Sequence, residues 1–180
     1  MTNSKGSFLF AGFFGVAVVF GTNFLQAQSG ADATMLDKHF VSEALKGGMA
    51  EVQMGRLAEE NGTSPDVKKF GHQMVEDHMK LGDQMKQVAS ETGVAVPSSP
   101  TMMQQAEIKK LKGLSGEEFD QEYIKAMLKD HEDDLKDFKK EAESGTSPVV
   151  KNAASEGADV VSTHLSMIKQ IAAAHNLAMN

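Results

Sequence analysis

Four residues interrupt otherwise apolar helical stripes in this sequence: Glu51, His78, His131 and His164. One carboxylate and three imidazoles are hard-to-borderline O and N donors, a set that suits Zn, Fe, Mn or Cu. An isolated buried carboxylate is costly, whereas one set among imidazoles can be paired or bound to a metal. The chemistry therefore depends on whether the chain brings the four together. Asp77 and Asp130, each immediately before a histidine of the set, sit one step round the helix, where they could orient ligands from behind or add a neighbouring donor. A second reading stays open: a buried hydrogen-bond network that only fixes helix register.

The elements that must position these residues are long helices. Val67, Gly71, Met74, His78, Leu81, Met85 and Val88 are spaced 4, 3, 4, 3, 4 and 3 residues apart, the seam of a helix packed along other helices, predicting a helix over about 64–91. Phe40, Ala44, Gly47, Glu51, Met54 and Ala58 predict another over 37–60. Glycines 47, 48 and 55 within it each weaken a lone helix by roughly 1 kcal/mol, so close helix approach or room beside a site must justify them. Ile124, Leu128, His131, Leu135, Phe138 and Ala142 mark a third long helix, with a capping box at Ser115 to Glu118 opening it. Val150, Ala153, Gly157, Val160, His164, Met167, Ile171 and Ala174 mark a fourth. A short helix over 101–112 lies in the crossover between the second and third.

Gly-Thr-Ser-Pro occurs twice, at 62–65 and 145–148, with Ser as N-cap and Pro at the first helical position, where its missing N–H costs nothing. Two hairpins turning on this motif and joined by a longer crossover predict an all-α, ferritin-like four-helix bundle. The repeat is consistent with duplication and equally with one capping problem solved twice. Glu51 lies 13 residues before Ser64 and His78 lies 14 after it; His131 lies 16 before Ser147 and His164 lies 17 after it. At 1.5 Å per residue the pairs sit roughly 20 and 24 Å from their own turns. Both fall near mid-bundle and converge whichever way the hairpins run.

Other candidates fit less well. His39, His72 and His175 do not share the spacing; His175, near the end of the last helix, is placed to meet the final carbonyls. Met54, Met74 and Met167 lie within a turn of the set, where thioethers could join imidazoles around Cu(I) or simply fill core gaps. Tyr123, the only tyrosine, reads as core packing.

Composition narrows the function classes. There is no cysteine, which excludes disulfides, thiolate sites, cysteine nucleophiles and a lipid-anchored lipoprotein. A formal charge of −7 with no aromatic-interleaved basic run excludes nucleic acid as a partner and favours cations. Lys5 followed by the apolar run Phe8 to Phe20 and a small residue at Ala27 reads as a signal peptide over 1–27. Its removal takes Lys5 with it and leaves the remainder at −8. Extended to Leu25, the same run would instead be an uncleaved inner-membrane anchor. Residues 28–36 read as a disordered lead-in and 37–177 as the bundle domain.

With the signal segment, Asp77-His78, Phe119-Asp120-x-x-Tyr123 through Asp130-His131, and Thr163-His164-Leu165, the chain resembles the bacterial DUF4142 family over about residues 36–177. The resemblance implies export and a ferritin-like bundle, with suspected metal binding and no established activity. Members are often labelled outer membrane proteins, but neither the alternating strands of a barrel nor a lipid-bearing cysteine is present, so the periplasm or beyond is the expected compartment. Di-iron ferritin-like proteins use Glu-x-x-His on two helices. Here Val75, Leu128 and Val161 stand three residues before the three histidines. The expectation is one transition metal held by Glu51, His78, His131 and His164 for storage, sequestration or envelope stress protection. Four protein donors would close the site, favouring binding over catalysis; the alternative is an envelope structural or interaction module.

Overall fold

The computed structural model describes residues 33–177; the expected signal peptide and most of the lead-in lie outside the described residues. Five helices and no strand occur among those residues: α1 (Met35–Asn61), α2 (Pro65–Thr92), α3 (Met102–Lys112), α4 (Gly116–Ser144) and α5 (Pro148–Ala174). Thr34 and Asp37 form a reciprocal capping box that opens α1, so Met35 and Leu36, read from sequence as lead-in, are helical. Thr101 and Gln104 do the same for α3. The box expected at Ser115 to Glu118 does not form: Ser115 is the N-cap residue, but its side chain makes no capping bond. Ser64 and Ser147 likewise cap α2 and α5 by position only.

Distant aspartates satisfy the turn N–H groups instead. The Asp120 carboxylate, near the start of α4, accepts from the backbone N–H of Thr63 at 3.0 Å and of Ser64 at 2.8 Å. Asp37, near the start of α1, accepts from Thr146 N–H at 2.8 Å. Burial opposes ionisation of Asp37, but hydrogen bonds from Thr34 and Thr146 outweigh it and hold the carboxyl well below the usual range. Each aspartate ties the turn of one hairpin to the opening of the other hairpin, so the two hairpins run antiparallel. Asp37 precedes Pro65 by 28 residues and Asp120 precedes Pro148 by 28. The clamp repeats along with the turn it holds, which favours duplication of one hairpin.

The result is a ferritin-like four-helix bundle of two hairpins, α1–α2 and α4–α5. α2 faces α5 and α1 faces α4, while α3 crosses outside against α1 and α4. α1 and α2 approach most closely at Gly55 and Gly71, where a Cβ on Gly55 would lie 2.7 Å from the Gly71 carbonyl oxygen. Gly47 and Gly48 have another role: a Cβ at either would meet nothing closer than 3.9 Å, so they leave space.

The core has two apolar halves. One gathers Met54, Leu57, Phe70, Met74, Tyr123 and Ile168; the other gathers Val41, Leu45, Met85, Val88, Phe138 and Val150. The α2 seam is buried as its spacing predicts. The other stripes are corrected by about one residue: α5 buries Ala154, Ala158, Val161, Leu165 and Ile168, not Ala153, Val160 and Met167. α4 buries Tyr123 and Met127 with Ile124, while Leu128 and Leu135 are half-buried. In α1, Val41 and Leu45 are buried, and Phe40 and Ala44 turn toward an open cavity.

Candidate metal centre

Between the two apolar halves, one residue from each long helix enters the core: Glu51 from α1, His78 from α2, His131 from α4 and His164 from α5. All four are buried, with at most 3 % of their surface exposed. The imidazole centroids lie 5.2 to 5.9 Å apart. Equal distance from the hairpin turns produces this meeting, as the sequence register implies.

Hydrogen bonds assign the imidazole tautomers. His131 Nδ1 lies 3.0 Å from the Met127 carbonyl oxygen, so Nδ1 donates and Nε2 carries a bare lone pair. His164 Nε2 lies 3.0 Å from Asp77 Oδ2, so Nε2 donates and Nδ1 is bare. Burial pushes the Asp77 carboxyl up, but hydrogen bonds from Gln73 and His164 prevail and keep it low. His78 Nε2 lies 3.3 Å from His164 Nδ1 and donates to it. His78 Nδ1 lies 2.9 Å from Glu51 Oε2 yet out of line for a hydrogen bond, and it has no other partner. His131 Nε2 is 3.7 Å from Glu51 Oε1, and both atoms are also unpartnered. Buried polar atoms are nearly always satisfied. Three unpartnered atoms converge at one level.

Burial sets the charge of the site. It holds the His78 imidazolium down to about 4, despite Asp130 and Asp77, and the His131 imidazolium down to about 3, with repulsion from His78 and His164 adding to the effect. His164 is lowered by burial as well. Burial raises Glu51 to about 8. Burial and the nearby Glu51 raise Asp130 to about 7 and Asp134 to about 9. At neutral pH, without a metal, the centre thus consists of neutral imidazoles beside carboxyls that hold protons. A divalent cation can take the place of those protons.

Donor atoms fall into two sets of three that share His131: His78, His131 and His164, and Glu51, Asp130 and His131. Within each set one ligand atom per residue lies within 4.8 Å of the others. The four expected residues are therefore neighbours but not one four-donor set, and Asp130 joins as a donor candidate, not only as a support. Asp77 is the group that orients His164. Asp134 was not singled out by spacing, although it follows His131 by three residues and precedes Pro148 by 14, as Glu51 precedes Pro65 by 14.

The remaining candidates lie elsewhere. Met54 and Met74 pack in the apolar half around Phe70, with Met167 at its edge. Tyr123 stacks on Phe119, with centroids 5.7 Å apart and planes 13° apart, and burial raises its phenol. Phe70 stands edge-on to both Tyr123 and His164, closing the floor of the centre. His72 pairs with Glu59 at 2.7 Å. The His175 side chain reaches Asp66 at the start of α2, 3.1 Å away, not the last carbonyls of α5. His39 is exposed and lines the cavity beside α1.

Comparison with known proteins supports the fold. DUF4142, a domain of unknown function, matches residues 23–171. The crystal structure of a DUF305 protein from Streptomyces coelicolor, thought to be secreted, superposes with a TM-score of 0.68 at 17 % identity, covering 81 % of this chain and 95 % of that one. A DUF305 fragment from Deinococcus radiodurans gives a TM-score of 0.69 at 14 % identity, covering 78 % and 97 %. No curated protein matches. Among the described residues, no helix is long and apolar enough to cross a membrane.

Proposed function

The chain belongs to the DUF4142 family, and we propose that it binds one divalent transition-metal ion at mid-bundle. The resting ion sits on the imidazoles of His78, His131 and His164, and the Glu51 and Asp130 carboxyls with His131 form an alternative set. The observation that carries this reading is the set of three buried, unpartnered atoms, Glu51 Oε1, His78 Nδ1 and His131 Nε2. Among the described residues only Tyr123 Oη and Glu141 Oε1 are otherwise buried without a protein partner, so the centre gathers three of the five such atoms. His131 has a single free lone pair, so the two donor sets exclude each other and one ion is held at a time. The donors favour borderline ions, Zn, Fe, Mn or Cu, over Ca or Mg.

The biological role that fits is storage, sequestration or protection against metal stress in the bacterial envelope. Supporting it are the signal-like segment at 1–27, the acidic charge, and a structural relative thought to be secreted. The centre is enclosed and shows no nucleophile beside a base, which argues for holding an ion over catalysis on it. The test is a zinc competition titration against a chromophoric chelator, with the whole chain and its His78→Ala, His131→Ala and His164→Ala variants. One equivalent bound, with affinity lowered at least about tenfold in each variant, supports the reading. Equal affinity in all four proteins refutes it.

A further inference from the structure

The centre is buried, so an ion needs a way in. A cavity of about 500 Å³ opens between the first half of α1 and the second half of α4, with Gln104 of α3 on its rim. Its carboxyl groups, Asp37, Glu43, Asp134, Asp137 and Glu141, outnumber its one lysine, Lys140. At the inner end, Ala44, Asp134 and Phe138 also wall a second void of about 10 Å³, whose far side is Glu51 and His78. That volume is room for about one water molecule. Glu51, 2 % exposed and with Oε1 unpartnered, looks into this void.

We propose that this cavity is the loading port of the metal centre, with Asp134 taking a hydrated divalent cation from solvent and passing it to Glu51. The inference rests on the metal-binding reading above. Asp134 is the carboxylate that borders both voids. Small residues keep the passage open: a Cβ on Gly47 would meet only Gln104 Nε2 at 3.9 Å and Asp134 Oδ2 at 4.0 Å. The order of donors then runs from oxygen to nitrogen, Asp134 first, the Glu51, Asp130 and His131 set next, and the three imidazoles last. Oxygen donors replace lost water in the early steps, and His131, common to both sets, moves the ion from one to the other. A groove of about 280 Å³ reaches His78 from the opposite side, but Leu45, Met49, Val52, Met79 and Val96 make it apolar and unsuited to a hydrated cation.

The test is stopped-flow zinc uptake by metal-free protein, zinc release to excess chelator, and equilibrium affinity. Ala44→Leu, which plugs the junction of the two voids, should slow uptake and release by the same factor, at least about tenfold, and leave Kd unchanged. Gly47→Ala, whose added methyl makes only ordinary contacts, provides a variant certain to be accommodated and should slow both rates less. Asp134→Asn should slow uptake about tenfold, because an amide cannot give up a proton to the entering cation and become a carboxylate ligand. Met79→Phe, in the opposite groove, should change neither rate. Wild-type rates in the first three variants would overturn the port, as would slowing by Met79→Phe alone. Wild-type protein that binds no zinc at equilibrium would overturn the metal-binding reading and the port with it; normal affinity with unaltered rates would overturn the port only.

Discussion

Raising pH should destabilise the metal-free protein and leave the zinc-loaded protein unaffected. Glu51 is raised from the ordinary 4.5 to about 8 and Asp134 from 3.8 to about 9, each because burial disfavours the carboxylate. A carboxyl whose folded pKa is raised keeps its proton in the native state and loses it in the unfolded chain. Stability is then complete at low pH and is lost as pH climbs toward the folded pKa. Between pH 7.5 and 8.5 the unfolded histidines are already neutral, so their lowered native values no longer contribute. Each excess native proton costs about 1.4 kcal/mol per pH unit. With Glu51 half titrated and Asp134 mostly protonated across this window, the metal-free protein should lose about 2 kcal/mol. The charge of a bound zinc ion lowers both nearby carboxyl pKa values, so the loaded protein should hold its stability. The assay is urea unfolding at pH 7.5, 8.0 and 8.5 with chelator or with saturating zinc. Glu51→Gln and Asp134→Asn should each flatten the metal-free slope. A metal-free midpoint independent of pH, or a loaded protein with the same slope, would refute the assigned proton states.

Four further outcomes follow from the geometry. Zinc binding at pH 7 should release one or more protons, read by calorimetry in buffers of different ionisation enthalpy; no net release would contradict the protonated carboxyls. Asp77→Asn should weaken zinc by about tenfold or more, because His164 loses the partner that fixes its tautomer; unchanged affinity would show that Asp77 does not orient it. Asp120→Ala should cost about 2 to 3 kcal/mol in urea unfolding by leaving two turn N–H groups without their charged acceptor, while zinc affinity stays within a few-fold. Gly157→Ala, whose Cβ would collide with the Phe138 ring, should cost about 1 to 3 kcal/mol, and an unchanged midpoint would mean that α4 and α5 can spread there freely.

Much of this arrangement was legible from spacing. The α2 stripe is unambiguous because charged residues flank it, as at Lys68, Lys69, Glu76 and Lys80, and every residue named on it is buried. The matched distances from each Gly-Thr-Ser-Pro turn placed the four polar residues at one level. The one-residue offset in α5 arose because the neighbouring stripe is equally apolar: Val149 beside Val150, Ala153 beside Ala154, Val160 beside Val161, Met167 beside Ile168. Periodicity cannot choose between two such stripes; the partner helix does.

The direction of the hairpins was not legible, because mid-bundle residues meet either way. It is settled by Asp37 and Asp120, whose partners lie 109 and 56 or 57 residues away. Local pattern gives no sign of such long-range capping, and it led to Ser115 and Ser64 being credited with bonds that they do not make. Asp134 was missed for a similar reason. Within the run of acidic and basic residues from Lys129 to Lys140 it reads as solvated surface, whereas in the fold it is half-buried beside Gly47, across a contact that spacing does not reveal.

Metal occupancy of the mid-bundle centre can be read by elemental analysis of the whole chain, purified without chelator or nickel affinity steps, beside its His78→Ala and His164→Ala variants. Close to one transition-metal ion per chain is expected in the wild type and near none in the variants. A wild type that carries no metal, and takes up none when offered Zn, Fe, Mn and Cu in turn, would contradict the metal-binding reading.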